Sequence, residues 1–347
     1  MDAGLNAIVT GLKWGVGCCY GNWPVYPVLR FLVARRIQLI SVILAAGCGV
    51  CLRAASSRLI VCGSAQVIEG SVARQNGKPS LKIDWIWRPE KSLGLPVALM
   101  SNFAGTDECK PVEGGKYLLI TSSSNALALV DQENGGTVYY ANVRNAHSAA
   151  LLPNNFIAVA SSFSPDNSGN RVLLFDMKVP DHAVAFLPLA GAHGVEWDQD
   201  RQVLWALGDR ELQRIHVETG SEHGPAMTVQ QVFPLPSRGG HDLVLANDKS
   251  ALYVVTGTEV LVFGPQDGKF SPFPPFAGQS NVKSLSINDK TGQIVYTQAD
   301  WGVWWTYTLR FRNPGLEIEL PEHAYKVRWL PDRKSTPIQG LPARRAK

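Results

Sequence analysis

A short apolar strand returns every forty to fifty residues or so along this 347-residue chain, roughly the period of a propeller or solenoid. The copies are Thr106-Asp107-Glu108-Cys109, Ala146-His147-Ser148-Ala149, Ala192-His193-Gly194-Val195, Gly240-His241-Asp242-Leu243, Asn281-Val282-Lys283-Ser284 and Ala324-Tyr325-Lys326-Val327. A unit of that length cannot bury its apolar face alone, so neighbouring copies must stack on one another.

The copy beginning at His147 shows what one unit contains. Four apolar runs, His147 to Leu152, Phe156 to Ser161, Arg171 to Asp176 and Ala183 to Leu187, are separated by turn formers such as Pro153-Asn154-Asn155 and Ser164-Pro165-Asp166-Asn167. Short runs rich in β-branched, aromatic and aliphatic residues and bounded by Gly, Pro, Asn and Asp predict hairpins rather than helices. The same second strand recurs as Leu204 to Gly208, Leu252 to Thr256 and Ile294 to Thr297. The fold class expected is all-β, a propeller of six four-stranded blades, with seven blades as the alternative.

The two ends of the repeat region predict how the ring shuts. The first unit has a second strand (Arg58 to Cys62), a third near Gln66 to Ile68 and a fourth (Leu81 to Trp87), but no first strand. The chain returns an orphan first strand, Tyr325 to Leu330, after the sixth unit. Joining that C-terminal strand to the first blade closes the ring and removes two exposed sheet edges.

Domain organisation follows: residues 1–55 read as a leader, 56–332 as the propeller and 333–347 as a basic, disordered tail. In the leader, Arg35-Arg36 precedes an apolar run from Ile37 to Ala46 and small residues around Gly47-Cys48. A basic pair, a short apolar core and small residues match a secretory signal. The run is shorter than the roughly 20 residues a spanning helix needs, so no stable membrane span is expected after processing. The expected location is extracellular, with an N-terminal membrane anchor as the alternative. Four of six cysteines lie in this leader, leaving Cys62 and Cys109, in adjacent units, as buried thiols or one disulfide.

Charge narrows the partners. The net formal charge is only +4, and no basic face with interleaved aromatics is visible, which argues against nucleic acid. A weakly basic funnel favours a small anion, such as a uronic acid or phosphate ester. The expected state is a monomer with a small-molecule or saccharide ligand.

In a propeller the first strand of each blade lies nearest the axis. Aligning the turns puts Asp107, His147, His193, His241, Val282 and Tyr325 at one position and Glu108, Ser148, Gly194, Asp242, Lys283 and Lys326 at the next. Titratable groups converging on one place are the usual signature of a site. His147, His193, His241 and Asp107 form a candidate set for a divalent metal, Mn, Zn or Ca. Alternatively one histidine acts as general base, with Lys283 and Lys326 steadying developing negative charge, as β-elimination on a uronic acid requires. Asp107, Asp242, Tyr325 and Arg238, with Arg144 near another ring histidine, are candidate substrate contacts. A paired-carboxylate hydrolase using Asp107, Glu108 or Asp242 is a weaker reading.

The structural alternative is that these histidines brace the blades, as a Gly-His pair opening a WD-repeat blade does. A repeat copies braces as faithfully as ligands, so three histidines at one position fit both readings. Two lysines on inner strands are harder to dismiss, because lysine is almost never buried without a partner. Trp301, Trp304 and Trp305, and Trp85 and Trp87, read as packing between blades more readily than as sugar platforms.

At these residues the chain resembles a family of secreted β-propellers catalogued as a domain of unknown function. The resembling segments include Asp84 to Trp87, Thr106 to Lys110, His147 to Pro153, Gly191 to Asp198, Leu204 to Gly208, Gly240 to Leu243 and Val282 to Ser284. Their order implies a propeller from Arg58 to Trp329 and brings no activity with it. A looser similarity, by architecture and residue type, is to propeller polysaccharide lyases that hold a metal with axial histidines. The function expected is an anion-binding axial funnel, with lyase chemistry as its enzymatic form. A non-catalytic binding or scaffolding propeller and a tailoring enzyme of small-molecule biosynthesis are the alternatives.

Overall fold

A computed structural model describes residues 58–220, 222 and 224–331. The expected leader and its secretion signal, and the expected basic tail, lie outside the described residues.

Twenty-four strands form six four-stranded antiparallel sheets. The first blade holds β1 (Arg58–Cys62), β2 (Val67–Gln75) and β3 (Lys78–Trp87). The second holds β4 (Thr106–Val112), β5 (Tyr117–Ser122), β6 (Ala126–Asp131) and β7 (Thr137–Ala141). The third holds β8 (Ala146–Leu152), β9 (Phe156–Ser161), β10 (Arg171–Asp176) and β11 (Ala183–Pro188). The fourth holds β12 (Gly194–Asp198), β13 (Val203–Leu207), β14 (Glu211–Glu218) and β15 (Ala226–Pro234). The fifth holds β16 (Asp242–Leu245), β17 (Leu252–Val255), β18 (Val260–Gly264) and β19 (Lys269–Pro272). The sixth holds β20 (Val282–Ile287), β21 (Ile294–Gln298), β22 (Thr306–Arg312) and β23 (Leu316–Ala324). The last strand, β24 (Lys326–Trp329), returns to the first blade and pairs antiparallel with β1, Leu59 opposite Trp329 and Cys62 opposite Lys326. The ring therefore has six blades, closed as the orphan strand predicted.

The second strand of a blade explains its sequence. β5 and β9 are buried at every position, because neighbouring blades cover both faces of the sheet there. A strand covered on both faces reads as a continuous apolar run, not as an alternation. Each interface has its own core. Leu119 and Leu129 of the second blade meet Ile157 and Val159 of the third, and Trp205 and Leu207 of the fourth meet Leu243 and Val254 of the fifth. The closing interface packs Val295 and Phe311 of the sixth blade against Leu59, Val61 and Val327 of the first. Gly63 (φ +152°) is required at this seam: a Cβ there would stand 2.3 Å from the backbone nitrogen of Tyr325.

Cys62 and Cys109 meet across the first two blades as free, buried thiols. Burial pushes the Cys62 thiol well above its ordinary value, and its contact with Cys109 adds to the shift.

The innermost strand of each blade has one edge with no partner strand, and its amides need acceptors. Side chains of the preceding blade supply several. Val195 N donates to Ser148 Oγ at 3.4 Å, Leu285 N to Asp242 Oδ2 at 3.2 Å, Val327 N to Ser284 Oγ at 3.1 Å and Trp329 N to Ser286 Oγ at 3.0 Å. Polar residues near the axis are thus partly a consequence of how a propeller ends its sheets inward.

Candidate functional site: a titratable collar at the axis mouth

One residue at the start of each inner strand leaves the ladder. The register between β4 and β5 skips Asp107, that between β8 and β9 skips His147, and that between β20 and β21 skips Lys283. A bulged residue is freed from the pleat and re-aimed. His193, His241 and Tyr325 stand just before β12, β16 and β24, each still donating its backbone N–H to the second strand of its blade. The structural ring is therefore Asp107, His147, His193, His241, Lys283 and Tyr325. This corrects the turn-based alignment, which put Val282 in the ring and Lys283 one level deeper. Val282 is instead buried in the core between the fifth and sixth blades.

Five of the six form a continuous series. Asp107 Oδ1 lies 3.3 Å from His147 Nδ1, and Asp107 also accepts from Ser123 N. The His147 ring stacks on His193, centroids 4.0 Å apart, and His193 meets His241 edge-on at 5.5 Å. Nζ of Lys283 stands 2.9 Å from His241 Nε2. The sixth member, Tyr325, approaches His147 edge-on at 6.2 Å.

Protonation follows from burial. His193 lies 3.0 Å from Gly191 O through Nδ1, and a carbonyl can only accept, so Nδ1 carries the proton. Burial, then the neighbouring imidazoles, pushes His193 well below the ordinary histidine value. Burial, reinforced by Lys283, lowers His241 to about 3. Both rings are neutral at physiological pH. Burial lowers Lys283 to about 8. The Tyr325 phenol is pushed well up by burial and nearby carboxylates, and stays protonated.

The loop between β21 and β22 overhangs this ring. Trp304 lies with its ring centroid 5.0 Å from Lys283 Nζ and 6.5 Å from the His241 ring, yet is 66% exposed. Trp301, in the same loop, is fully exposed. These tryptophans are not the packing residues their sequence context predicts. Trp87 is: it is buried edge-on against Phe103 at 5.3 Å.

Beneath the collar the axis is filled by paired charge. Lys326 is completely buried, 3.1 Å from Asp242 and 3.4 Å from Glu108. Arg328 bonds both carboxylates, at 2.6 Å to Asp242 and 2.9 Å to Glu108. Lys110 pairs with Glu196 at 3.0 Å and donates to Val195 O at 2.7 Å. Burial alone would lower Lys326, but Glu108 and Asp242 outweigh it and hold the ammonium charged. Lys326 and Asp242 thus sit beneath the collar, in this paired charge.

Lys110, Glu196 and Arg328 were not singled out in the sequence. The signal was there: Glu108 and Lys110, and Lys326 and Arg328, are spaced two apart, on one face of an inner strand. Arg238 and Arg144 stand at the same end of the ring but are engaged by Asp209 (2.9 Å) and Asp166 (3.3 Å). Of the histidines expected as metal ligands, His193 commits Nδ1 to a carbonyl, which leaves it Nε2 for any ligand. Among the described residues no group of three His, Cys, Asp or Glu side chains is arranged to hold a metal ion.

Residues 64–265, more than half of the chain, match the model of a family of unknown function, DUF6528. The chain belongs to that family. No curated protein matches it. Among solved structures it is similar to the β-propeller domain of Cps50 (Swd1) from Myceliophteria thermophila, at 12% identity and a TM-score of 0.42. That match covers 59% of this chain and 64% of the other, less than two thirds of its length. The blade count rests on the sheets themselves. The family match supports the propeller resemblance and brings no similarity to propeller lyases.

Proposed function

We propose that the axial mouth binds a small anionic ligand of the saccharide-acid class. The observation that carries this reading is Lys283. It is 2% exposed, and among the described residues no carboxylate lies within ion-pair distance of its Nζ. A buried lysine without a counter-ion is costly unless something negative arrives to meet it. Trp304 beside it offers an exposed aromatic face of the kind on which sugar rings stack.

The catalytic form of this reading is β-elimination. His147 (third blade) stands opposite Lys283 (sixth blade) in a six-membered ring, with the Asp107 carboxylate 3.3 Å from its Nδ1. With a uronate carboxylate against Lys283, His147 would take the C5 proton. The C4–O bond then breaks, the C4=C5 double bond forms, and the departing alkoxide gains a proton. Burial holds His193 and His241 neutral, well below the ordinary histidine value.

Calorimetric titration with gluconate, glucuronate and galacturonate tests the binding. Saturable binding that weakens at least tenfold in Lys283→Gln and Trp304→Ala is the expected result. No binding of any acid, or binding unchanged by Lys283→Gln, would overturn it. Incubation with acidic polysaccharides, followed by ultraviolet absorbance of unsaturated uronates, tests the elimination separately. Binding without that absorbance leaves a non-catalytic binding propeller.

A further inference from the structure

Three lysines reach the axis of this propeller, and they are not equivalent. Lys326 has two carboxylates within 3.4 Å, and Lys110 has Glu196 at 3.0 Å. Lys283 has none; its Nζ neighbours are the Nε2 of a neutral imidazole at 2.9 Å and the face of Trp304 at 5.0 Å. It also occupies the bulge of β20, which takes its side chain out of the ladder, whereas Lys326 lies within the ladder opposite Cys62.

We propose that Lys283 is a reactive amine, which captures the carbonyl carbon of a small aldehyde or oxo-acid as an imine. This rests on the mouth admitting a small ligand, but not on that ligand being held by its carboxylate. An ammonium stabilised by carboxylates is a poor nucleophile; one desolvated beside neutral groups releases its proton and becomes an amine. The neutral Nζ adds its lone pair to the carbonyl carbon while the C=O π pair moves to oxygen. One N–H proton passes to that oxygen, a second proton from solvent lets it leave as water, and a protonated C=N bond remains. The imidazole of His241 is within reach to hold the Nζ hydrogens in register during addition. Its other nitrogen, Nδ1, is buried and has no hydrogen-bond partner in the protein, so the pair retains an unused polar atom at the reacting centre.

The contrast predicts selectivity. An ordinary exposed lysine titrates near 10.4 and is less than about 1% neutral at pH 8. Lys283, lowered to about 8 by burial, is about half neutral there, which gives it roughly a hundredfold more free amine. Exposed Lys269 is the internal reference.

The test is reductive trapping with glyoxylate and cyanoborohydride at pH 8, followed by peptide mass mapping, on wild type and Trp304→Ala. Lys283 should be carboxymethylated at least tenfold faster than Lys269, and faster still in Trp304→Ala, where the covering ring is removed. Labelling of Lys269 ahead of Lys283 in both proteins would overturn the proposal. Gluconate, which has a carboxylate and no carbonyl, separates the two readings. Gluconate binding with no Lys283 adduct defeats the imine and keeps the acid site. Selective adduct formation without gluconate affinity does the reverse.

Discussion

Arg328 grips Asp242 with both terminal nitrogens, at 2.7 and 2.6 Å, while its Nε and Nη2 hold Glu108 at 3.0 and 2.9 Å. Three blades meet in that one side chain: Arg328 lies on the closing strand of the first, Glu108 on the second and Asp242 on the fifth. Ring closure is therefore electrostatic at the axis as well as hydrogen-bonded along β1.

Removing Arg328 should be expensive. Arg328→Leu leaves two buried carboxylates with Lys326 as their shared cation, and breaking a buried pair costs about 3–5 kcal/mol. Urea unfolding should show a midpoint lowered accordingly. A midpoint equal to wild type would mean that the axial network contributes no net stability.

Acid should weaken the fold earlier than carboxylate titration alone explains. His193 and His241 have folded values below the unfolded one of about 6.5, so the unfolded chain binds more protons below that pH. Their contribution is present above about pH 6.5 and is lost as pH falls toward the folded values. For Glu108, burial by itself would raise the carboxyl, but Arg328, Lys326 and Lys110 outweigh it and hold it low. Its contribution is present above about pH 4.3 and is lost only below that. The melting temperature should fall from pH 7 to 5 and more steeply below, and His241→Asn should flatten the first limb. A profile level down to pH 5 would contradict this.

Lys283 should cost stability. Its folded value is lowered, so the stability it withholds is restored only as pH rises from about 8 through the unfolded value near 10.4. Lys283→Met should melt several degrees above wild type at pH 7, lose gluconate binding, and show a smaller advantage at pH 10. Residues kept for function at the expense of stability behave this way. A lower melting temperature for the variant at pH 7 would show instead that the lysine charge is well met in the native state.

Gly194 should resist enlargement. It is the only member of its level, alongside Glu108, Ser148, Asp242, Ser284 and Lys326, without a side chain. A Cβ there would stand 2.7 Å from Cβ of Leu243, so the fourth and fifth blades must part. Gly194→Ala should destabilise by about 1–3 kcal/mol, as overpacking does. Thermal melting checks this, and a neutral result would show that the fifth blade shifts freely.

The propeller was legible because its evidence is local and repeated. Continuous apolar runs such as Phe156 to Ser161 mark the doubly covered second strands, and the orphan Tyr325 to Leu330 can pair only with the incomplete first unit. The collar was legible in its membership except at Lys283. A bulge inserts one residue without any change in composition, so aligning turns could not reveal that Lys283 had slipped into the upper ring. Trp304 was misread for a related reason: sequence shows an aromatic-rich loop, not which way that loop leans.

Sequence by itself determined the repeat, the strand order, the closing strand and the titratable groups brought to the axis, because each follows from periodicity and turn chemistry within one unit. Tertiary structure alone decided what those groups are. Lys326 and Lys283 are both lysines at the start of an inner strand, yet one stands between two carboxylates and the other beside a neutral imidazole. That difference depends on residues from other blades, two hundred or so positions away in the chain for Glu108 and Lys326. Charge state, and with it reactivity, is set by those distant neighbours through burial and Coulomb interaction, which no local pattern encodes.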